Sequence, residues 1–222
     1  MSKEIKIGLI GAGWMGKAHT TAFHNARMIF GDDMPVFELV SDVSEDAVAK
    51  FAKNMGYNRY TTNWMDVVTD PEIDLVDVAT PNCMHYEMAK AALEHGKHVF
   101  CEKAMAYTVD ECKQMYDVWK ETGKVLYIGQ QRLFDKKYIR AVELINSGEI
   151  GQIVALRNFW FRNNDWRRPV PSPEFERLIN WRLYRDTSCG LMTELGCHHL
   201  QNGTWILRSL PDYITGSGDI VY

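Results

Sequence analysis

The 222-residue sequence predicts an α/β protein built on a doubly wound parallel sheet. Three features support this prediction. Strand-like apolar segments alternate with segments of helical periodicity over residues 1–130, a glycine-rich turn joins the first strand to the first helix, and polar residues directly follow most of the strands. Strands that alternate with helices need crossover connections, which make neighbouring strands parallel.

The glycine-rich turn lies between a strand and a helix. Residues 8–19 read GLIGAGWMGKAH. The apolar residues of 5–10 predict a buried strand, and the apolar spacing over 15–26 predicts a helix. In this context the G-x-G-x-x-G pattern indicates dinucleotide binding; the alternative is a turn that is merely rich in glycine.

Each glycine of this turn has a separate expected task. Gly11 makes the tight turn, Gly13 lets a pyrophosphate approach the backbone, and Gly16 lets the helix pack against the strand. Free N–H groups at the helix N-terminus face the phosphates. The cofactor contacts predicted here are Gly11, Gly13, Trp14, Met15 and Gly16.

Asp42 follows the predicted second strand, residues 36–40. A carboxylate at this position of a dinucleotide-binding unit accepts hydrogen bonds from the adenosine ribose hydroxyls and repels a 2′-phosphate. Asp42 therefore predicts NAD rather than NADP as the cofactor. A second, compatible role is the N-cap of a predicted helix over residues 44–54.

The remaining elements of the sheet follow in order. They are a third strand at 60–62, a fourth at 74–80, a helix closed by Gly96, a fifth strand at 97–101, a helix opened by a capping box of Thr108 and Glu111, and a sixth strand at 125–129. Parallel strands end at one edge of the sheet, where a crevice opens for a ligand. The residues that we expect near the cofactor at this edge are Thr80, Pro81, Asn82, Glu102, Lys103 and Gln131.

The composition excludes several classes of partner. With 25 Lys+Arg against 29 Asp+Glu, the net charge is −4, which offers neither a nucleic-acid footprint nor a polybasic membrane patch. An odd number of cysteines, five, without framework spacing favours reduced thiols in the cytoplasm. No run of 18 apolar residues predicts a membrane span. Small molecules are the expected partners.

The pattern changes near residue 130, which predicts two domains, residues 1–130 and 131–222. The second is predicted to contain a helix ended by Gly148, a long aromatic-rich strand at 152–161, a polar loop at 163–173, a short helix at 177–184, a helix at 190–208 and the start of a strand at 213–222.

Several motifs together resemble a known family, the NAD(P)-dependent sugar oxidoreductases named after glucose-fructose oxidoreductase and inositol dehydrogenase. The motifs are the glycine turn with His19, Ala79-Thr80-Pro81-Asn82 with His85, Gly96-Lys97-His98-Val99 running into Glu102-Lys103, Ser147-Gly148-Glu149-Ile150-Gly151, and the GLMTELGCH of residues 190–198. The resemblance covers essentially the whole chain.

The resemblance implies a fold and a reaction. It implies a Rossmann domain followed by an α+β domain with an open, mainly antiparallel sheet, through which such proteins form homo-oligomers. It also implies hydride transfer between NAD and a hydroxyl of a sugar, sugar acid, polyol or glycoside. Lys103 would be the acid/base, His198 would contact the reacting hydroxyl and relay its proton, and Glu194 would orient His198. Asn82 and His85 would lie near the nicotinamide, although a turn former and a helix N-terminal group are equally good interpretations of them.

The chain also departs from the family pattern. Ala104 replaces the proline that usually follows the lysine, Glu194 replaces an aspartate, and Gln201 replaces an acid. Family members also normally continue well beyond this length. We therefore expect the chain to be a truncated form, a gene fragment or one part of a split protein.

Aromatic and basic residues of the second half are candidates for substrate binding. Trp160, Trp181 and Tyr184 can stack on a sugar face, and Arg162 can hold an acidic sugar; core packing and a solvated loop are the alternatives. Cys197, His198 and His199 do not predict a metal site, because adjacent helical side chains diverge.

Two other functions are compatible with the same residues. A family glycosidase would use bound NAD transiently and cleave its substrate without net NADH formation. A ligand sensor would bind the cofactor without turnover.

Overall fold

The structure, a computed structural model, describes residues 4–30, 35–161 and 166–218. The chain forms two compact units. The first unit consists of Met1–Gly129 and Asn164–Glu194, and the second unit consists of Gln130–Asn163 and Leu195–Tyr222. The chain therefore leaves the first unit after Gly129, returns to it, and leaves it again after Glu194.

Six strands form the sheet of the first unit. They are β1 (Lys6–Ile10), β2 (Val36–Ser41), β3 (Arg59–Thr61), β4 (Leu75–Val78), β5 (His98–Cys101) and β6 (Leu126–Ile128). Their order is β3-β2-β1-β4-β5-β6, and every neighbouring pair is parallel. The strand order reverses between β1 and β4, which is the switch point of a doubly wound sheet. The predicted parallel α/β sheet is confirmed.

The helices of the described residues connect these strands and continue into the second unit. They are α1 (Trp14–Phe30), α2 (Glu45–Met55), α3 (Trp64–Thr69), α4 (His85–Glu94), α5 (Val109–Thr122), α6 (Lys136–Asn146), α7 (Glu176–Ile179) and α8 (Cys197–Leu207). A π-helical turn, Met192–Gly196, precedes α8. Helix α3 was not predicted from the sequence, although the Asn63 side chain marks its start by accepting the Met65 N–H at 3.1 Å.

Side-chain caps explain where two helices begin. At α5 the predicted capping box is confirmed: Thr108 Oγ1 accepts the Glu111 N–H at 3.2 Å, and Glu111 Oε2 accepts the Thr108 N–H at 2.8 Å. At α2 the cap is Ser44, whose side chain accepts the Ala47 N–H. The suggested capping role of Asp42 is therefore wrong, because the serine two residues later occupies the N-cap.

The sheet separates two apolar clusters. Successive residues of a strand point to opposite faces, so Ile10 packs with Val78 and Val99 in one cluster, and Leu9 packs with Val40 in the other. Helices α3, α4 and α5 contribute to the first cluster, and α2 contributes to the second. Burial on both faces fixes the register of the strands, and so the positions at which they end.

The second unit differs from the prediction. A strand was expected over residues 152–161, but within the described ranges no residue after Ile128 belongs to a β-ladder. A strand requires hydrogen bonds to a neighbouring strand, and the apolar side chains of Val154, Phe159 and Phe161 are exposed here. The described part of the chain therefore does not contain the predicted antiparallel sheet. Of the strand expected at 213–222, residues 213–218 have no ladder partner and the rest lie outside the described residues.

Within the described ranges, none of the helices combines the length and the apolar character that a bilayer span requires.

Candidate functional site

The glycine turn between β1 and α1 has two tightly packed glycines and one open one. Gly11 has φ of +103°, and a Cβ there would lie 2.8 Å from the Ala79 carbonyl oxygen. A Cβ at Gly16 would lie 2.1 Å from the Gly11 carbonyl oxygen. A Cβ at Gly13 would meet nothing within 4 Å. Packing of the chain therefore requires glycine at 11 and 16, whereas Gly13 faces open space in which a ligand can approach the backbone.

Asp42 holds this turn from the end of β2. Its Oδ2 accepts the Ala12 N–H at 2.8 Å, which engages one of its two carboxylate oxygens. Trp14 and Met15 begin α1, with Trp14 67 % exposed. The structure thus brings the five predicted residues of the turn and Asp42 to one place, at the ends of β1 and β2.

The segment that follows β4 supplies Asn82 and His85, both buried. Asn82 Nδ2 donates to Glu194 Oε1 at 2.6 Å, whereas its Oδ1 is buried without a hydrogen-bond partner among the described residues. His85 Nδ1 lies 2.7 Å from the Ala104 carbonyl oxygen, and Nε2 lies 2.9 Å from that of Thr80. Burial lowers the pKa of His85. His85 thereby links the segment after β4 to the segment after β5.

Lys103 follows β5 and points its ammonium group at Glu194. Its Nζ donates to the Glu194 carbonyl oxygen at 2.7 Å and to Oε2 at 3.3 Å. The Lys103 side chain is 13 % exposed and that of Glu194 is 1 % exposed. The peptide bond between Lys103 and Ala104 is cis. The lysine is therefore held in place by a buried acid that lies 91 residues away in the sequence.

The Glu194 carboxylate accepts two further hydrogen bonds from its own unit. Ser188 Oγ donates to Oε1 at 3.3 Å, and Arg182 Nε donates to Oε2 at 3.2 Å. We name Glu194 with its four partners Lys103, Arg182, Asn82 and Ser188 the Glu194 cluster. It contains two cations and one carboxylate. Burial lowers the pKa of Arg182, although the Glu194 carboxylate favours its charged form.

Arg182 and Ser188 were missed by the sequence analysis. Glu194 was expected to orient His198, and that role stays a prediction; the contacts described above are to Lys103 and its neighbours. The π-helical turn that carries Glu194 is a signal available only from the structure, since single π-turns are frequent at functional sites.

Glu102, predicted as a cofactor residue, is engaged inside the first unit. Its Oε1 lies 3.1 Å from His19 Nε2, and its Oε2 accepts the Lys103 N–H at 3.1 Å. Glu102 is only 9 % exposed.

The second unit contains His198 and Trp160. His198 Nδ1 lies 3.1 Å from Gln130 Oε1, and its ring stacks near Trp160 with centroids 6.3 Å apart. The Arg132 guanidinium lies over Trp160 at 5.0 Å from the ring centroid. The structure thus brings together two predicted substrate residues, His198 and Trp160. Gln131, beside Gln130, is exposed.

The other predicted substrate residues lie elsewhere. Trp181 and Tyr184 belong to the first unit, where Arg182 and Arg177 lie over their rings at 4.1 and 4.3 Å. Arg162 lies outside the described residues.

Comparison with known proteins assigns the chain to a family. Residues 5–130 match the GFO_IDH_MocA model, described as an oxidoreductase family with an NAD-binding Rossmann fold. The chain belongs to this family. Residues 138–222 match the GFO/IDH/MocA C-terminal domain.

Individual members of the GFO/IDH/MocA family resemble the chain over much of its length. Levoglucosan dehydrogenase of Pseudarthrobacter phenanthrenivorans is 31 % identical over 92 % of this chain and 52 % of its own. Inositol 2-dehydrogenase of Salmonella typhimurium is 32 % identical over 67 % of this chain and 43 % of its own. A structure of levoglucosan dehydrogenase with NADH and levoglucosan has a TM-score of 0.77 and 30 % identity, covering 92 % of this chain and 54 % of that one. The chain spans about half the length of these relatives.

The residues of the first unit fit the NAD of this GFO/IDH/MocA fold. The open space at Gly13 admits a pyrophosphate at the N-terminus of α1. Asp42 follows β2, which is the position of the carboxylate that binds the adenosine ribose in such folds. Asn82 Oδ1, which has no partner among the described residues, lies at the same sheet edge.

Proposed function

We propose that the protein is an NAD-dependent oxidoreductase that transfers a hydride between the nicotinamide and a hydroxyl or carbonyl group of a sugar, sugar acid, polyol or glycoside. One observation carries the proposal: the Lys103 ammonium is held by buried Glu194 at the strand edge that carries the NAD-binding turn. The named substrates of relatives, levoglucosan and inositol, support this substrate class.

Lys103 is the proposed acid/base. When bound, NAD supplies or accepts the hydride. During oxidation Nζ, as a neutral amine, takes the proton from the hydroxyl and becomes an ammonium; during reduction the ammonium gives a proton to the carbonyl oxygen. The carbonyl and carboxylate oxygens of Glu194 fix the direction of Nζ, so that less orientational freedom is lost when the substrate binds.

The second unit contributes the proposed relay. His198 contacts the reacting hydroxyl and passes its proton on, with Glu194 as its orienting acid, and its ring is supported within that unit by Gln130 and Trp160. Trp160, Trp181, Tyr184 and Arg162 are the proposed substrate contacts, and Thr80, Pro81, Asn82, His85, Glu102 and Gln131 are proposed around the nicotinamide half of the cofactor.

The test uses NADH fluorescence on the 222-residue chain. The cofactor is titrated first, and a panel of sugars, sugar acids and polyols is then added. We expect saturable binding followed by hydride transfer with part of the panel. Lys103→Ala is expected to lower turnover by ~10²- to 10⁴-fold with NADH affinity changed only a few-fold.

Two control variants match this experiment. Lys113→Ala removes an exposed lysine of α5, and it is expected to leave both quantities unchanged. His198→Asn is compared with His199→Asn on the same helix, and only the first is expected to lower turnover. Full activity in Lys103→Ala would remove the lysine from the mechanism. NADH binding without any turnover would favour the sensor, and cleavage of a glycoside without net NADH would favour the glycosidase.

We further propose that the protein acts in the cytoplasm and forms a homo-oligomer. Its cysteines are free, as in a reducing compartment. Light scattering after size-exclusion chromatography tests the oligomer, and a single-chain mass would contradict it.

A further inference from the structure

Three buried ionisable side chains meet beneath the sheet edge at which the parallel strands of the first unit end. His19 comes from α1, Asp77 from β4, and Glu102 directly follows β5. His19 Nδ1 lies 3.0 and 3.1 Å from the two carboxylate oxygens of Asp77, and Nε2 lies 3.1 Å from Glu102 Oε1. The ring also stacks on Phe100 with centroids 4.7 Å apart. We name Asp77, His19 and Glu102 the buried triad.

The geometry defines the charge of the ring. Each ring nitrogen faces a carboxylate, and only the imidazolium form has two N–H donors. Burial alone would lower the pKa of His19, but the hydrogen bonds to Asp77 and Glu102 raise it to about 10. Burial also raises the pKa of Asp77, despite its bond to His19. The His19 ring is therefore an imidazolium that carries a proton on each nitrogen and faces Asp77 on one side and Glu102 on the other.

The triad is connected to Lys103 through Glu102. One oxygen of Glu102 faces His19, and the other accepts the backbone N–H of Lys103 at 3.1 Å. Gly129 closes the other side, where an added Cβ would lie 3.1 Å from Glu102 Oε1. A carboxylate that is hydrogen-bonded through both oxygens and packed against the backbone is held in one orientation. Its bond to the Lys103 N–H therefore fixes the position of the lysine backbone.

The triad is connected to the glycine turn through α1. His19 lies three residues after Gly16, in the first turns of the helix whose N-terminus faces the open space at Gly13. The helix that receives the cofactor phosphates therefore also carries the group that holds Glu102.

We propose that His19 is a positioning residue for Lys103: as a buried imidazolium it holds Glu102, which in turn holds the lysine backbone and ties it to α1. The proposal rests on the proposed function because it assumes that Lys103 is the acid/base. The contacts themselves can be measured without turnover.

The test compares His19→Gln with His24→Gln in the full chain labelled with ¹⁵N-lysine and ¹⁵N-histidine. His24 is a matched control because it lies on the same helix and its ring hydrogen-bonds a neutral group, the Met55 carbonyl oxygen, instead of a carboxylate. In the wild type we expect both ring nitrogens of His19 to be protonated at pH 8.5. Hydrogen exchange of the Lys103 amide should be at least tenfold faster in His19→Gln, with the amide of Lys6 in β1 as an internal reference. His24→Gln should match the wild type.

A second variant covers the case in which His19→Gln does not fold. Asp77→Asn leaves the contact between His19 and Glu102, but it removes one of the charges that stabilise the imidazolium. We expect protection of the Lys103 amide, corrected for intrinsic exchange, to be lost at a lower pH than in the wild type. Equal protection in both proteins across the pH range, or a neutral ring at pH 8.5, overturns the proposal.

Turnover separates this inference from the proposed function. If the chain turns over a sugar, folded His19→Gln should lower kcat with little change in KM. If the chain shows turnover but the hydrogen-exchange rate of the Lys103 amide is the same in His19→Gln and in the wild type, only the positioning role is contradicted. A lysine amide that depends on His19 in a chain without turnover would contradict the proposed function alone.

Discussion

The buried triad and the Glu194 cluster are both built around buried carboxylates in the first unit, but they differ in how completely they are bonded. In the triad, both ring nitrogens and both oxygens of each carboxylate lie within 3.1 Å of a partner. In the Glu194 cluster, Asn82 Oδ1 is buried without a partner among the described residues, and the side chain of Arg182 is 35 % exposed.

This difference separates support from function. Buried polar groups are almost always hydrogen-bonded, and an unbonded one in a native fold calls for a ligand or water. A network in which every donor and acceptor atom already has a partner within the protein gains rigidity. We therefore propose that His19 and Asp77 of the triad act in positioning, and that the Glu194 cluster acts in binding and chemistry. The following variants test this division.

Glu194→Gln should have the largest effect. It leaves Lys103 and Arg182 without their carboxylate, and breaking a buried ion pair from one side costs ~3–5 kcal/mol. Urea unfolding should show this loss. Ser188→Ala, which removes a neutral donor to the same carboxylate, should cost only ~1 kcal/mol. Equal losses in the two variants would mean that the charges of the cluster contribute nothing.

The triad should make the free energy of unfolding decrease at alkaline pH. The pKa of His19 is raised from 6.5 to about 10 in the folded protein, so its contribution is fully present below pH 6.5 and is lost as pH rises through 10. Since Asp77 is penalised by burial, we expect a loss on the order of 3 kcal/mol over this window. Urea titrations at intervals of one pH unit measure it. A wild-type slope no steeper than that of folded His19→Gln would show that the ring is not charged.

Asn82→Ala tests the unpartnered oxygen. Losing the bond to Glu194 should cost ~1–2 kcal/mol of unfolding free energy, because the acceptor is charged. Loss of the free Oδ1 should also weaken NADH binding by roughly tenfold, or ~1.4 kcal/mol. Asn58→Ala is the matched control, since Asn58 donates in the same way to Glu38. Unchanged NADH affinity in Asn82→Ala would place this oxygen outside the cofactor site.

Asp42 is expected to show the smallest effect. Asp42→Ser removes both the bond to Ala12 and the ribose acceptor, and it should shift the preference between NADH and NADPH by ~3- to 10-fold toward NADPH. Asp42→Asn retains an oxygen that can accept the Ala12 N–H, so it isolates the effect of charge. Affinities for the two cofactors, measured by fluorescence, test this. An unaltered ratio in both variants would contradict the ribose assignment.

The sequence predicts the sheet well because its signals are local. Each apolar strand, the glycine turn and the Thr108 capping box is formed by residues only a few positions apart. The parallel order follows from the alternation of strands with helices. The helix α3 was missed because Trp64–Thr69 has only six residues, too few to show a period. The strand at 152–161 was overestimated because an aromatic-rich pattern gives a tendency, while a strand also needs a neighbour.

The site was predicted less completely for a different reason. Lys103 and Glu194 were both found, but their contact joins positions 91 residues apart, which no local spacing encodes. One signal was available for the triad. Asp77 lies within the apolar strand 74–80, and a buried acid requires a partner, so a search for a cation or histidine on the packed helix would have reached His19.

The path of the chain through the two units limits how the molecule can be divided. A fragment of residues 1–130 would contain all six strands and the glycine turn, but it would lack the stretch of 164–194 that returns to the first unit. Lys103 and Asn82 would then lose Glu194, and the sheet edge would lose Arg182 and Ser188. Dissection at the apparent end of the Rossmann pattern would therefore yield a nucleotide binder with a solvated lysine. A cut after Glu194 would keep the lysine and its acid on one polypeptide.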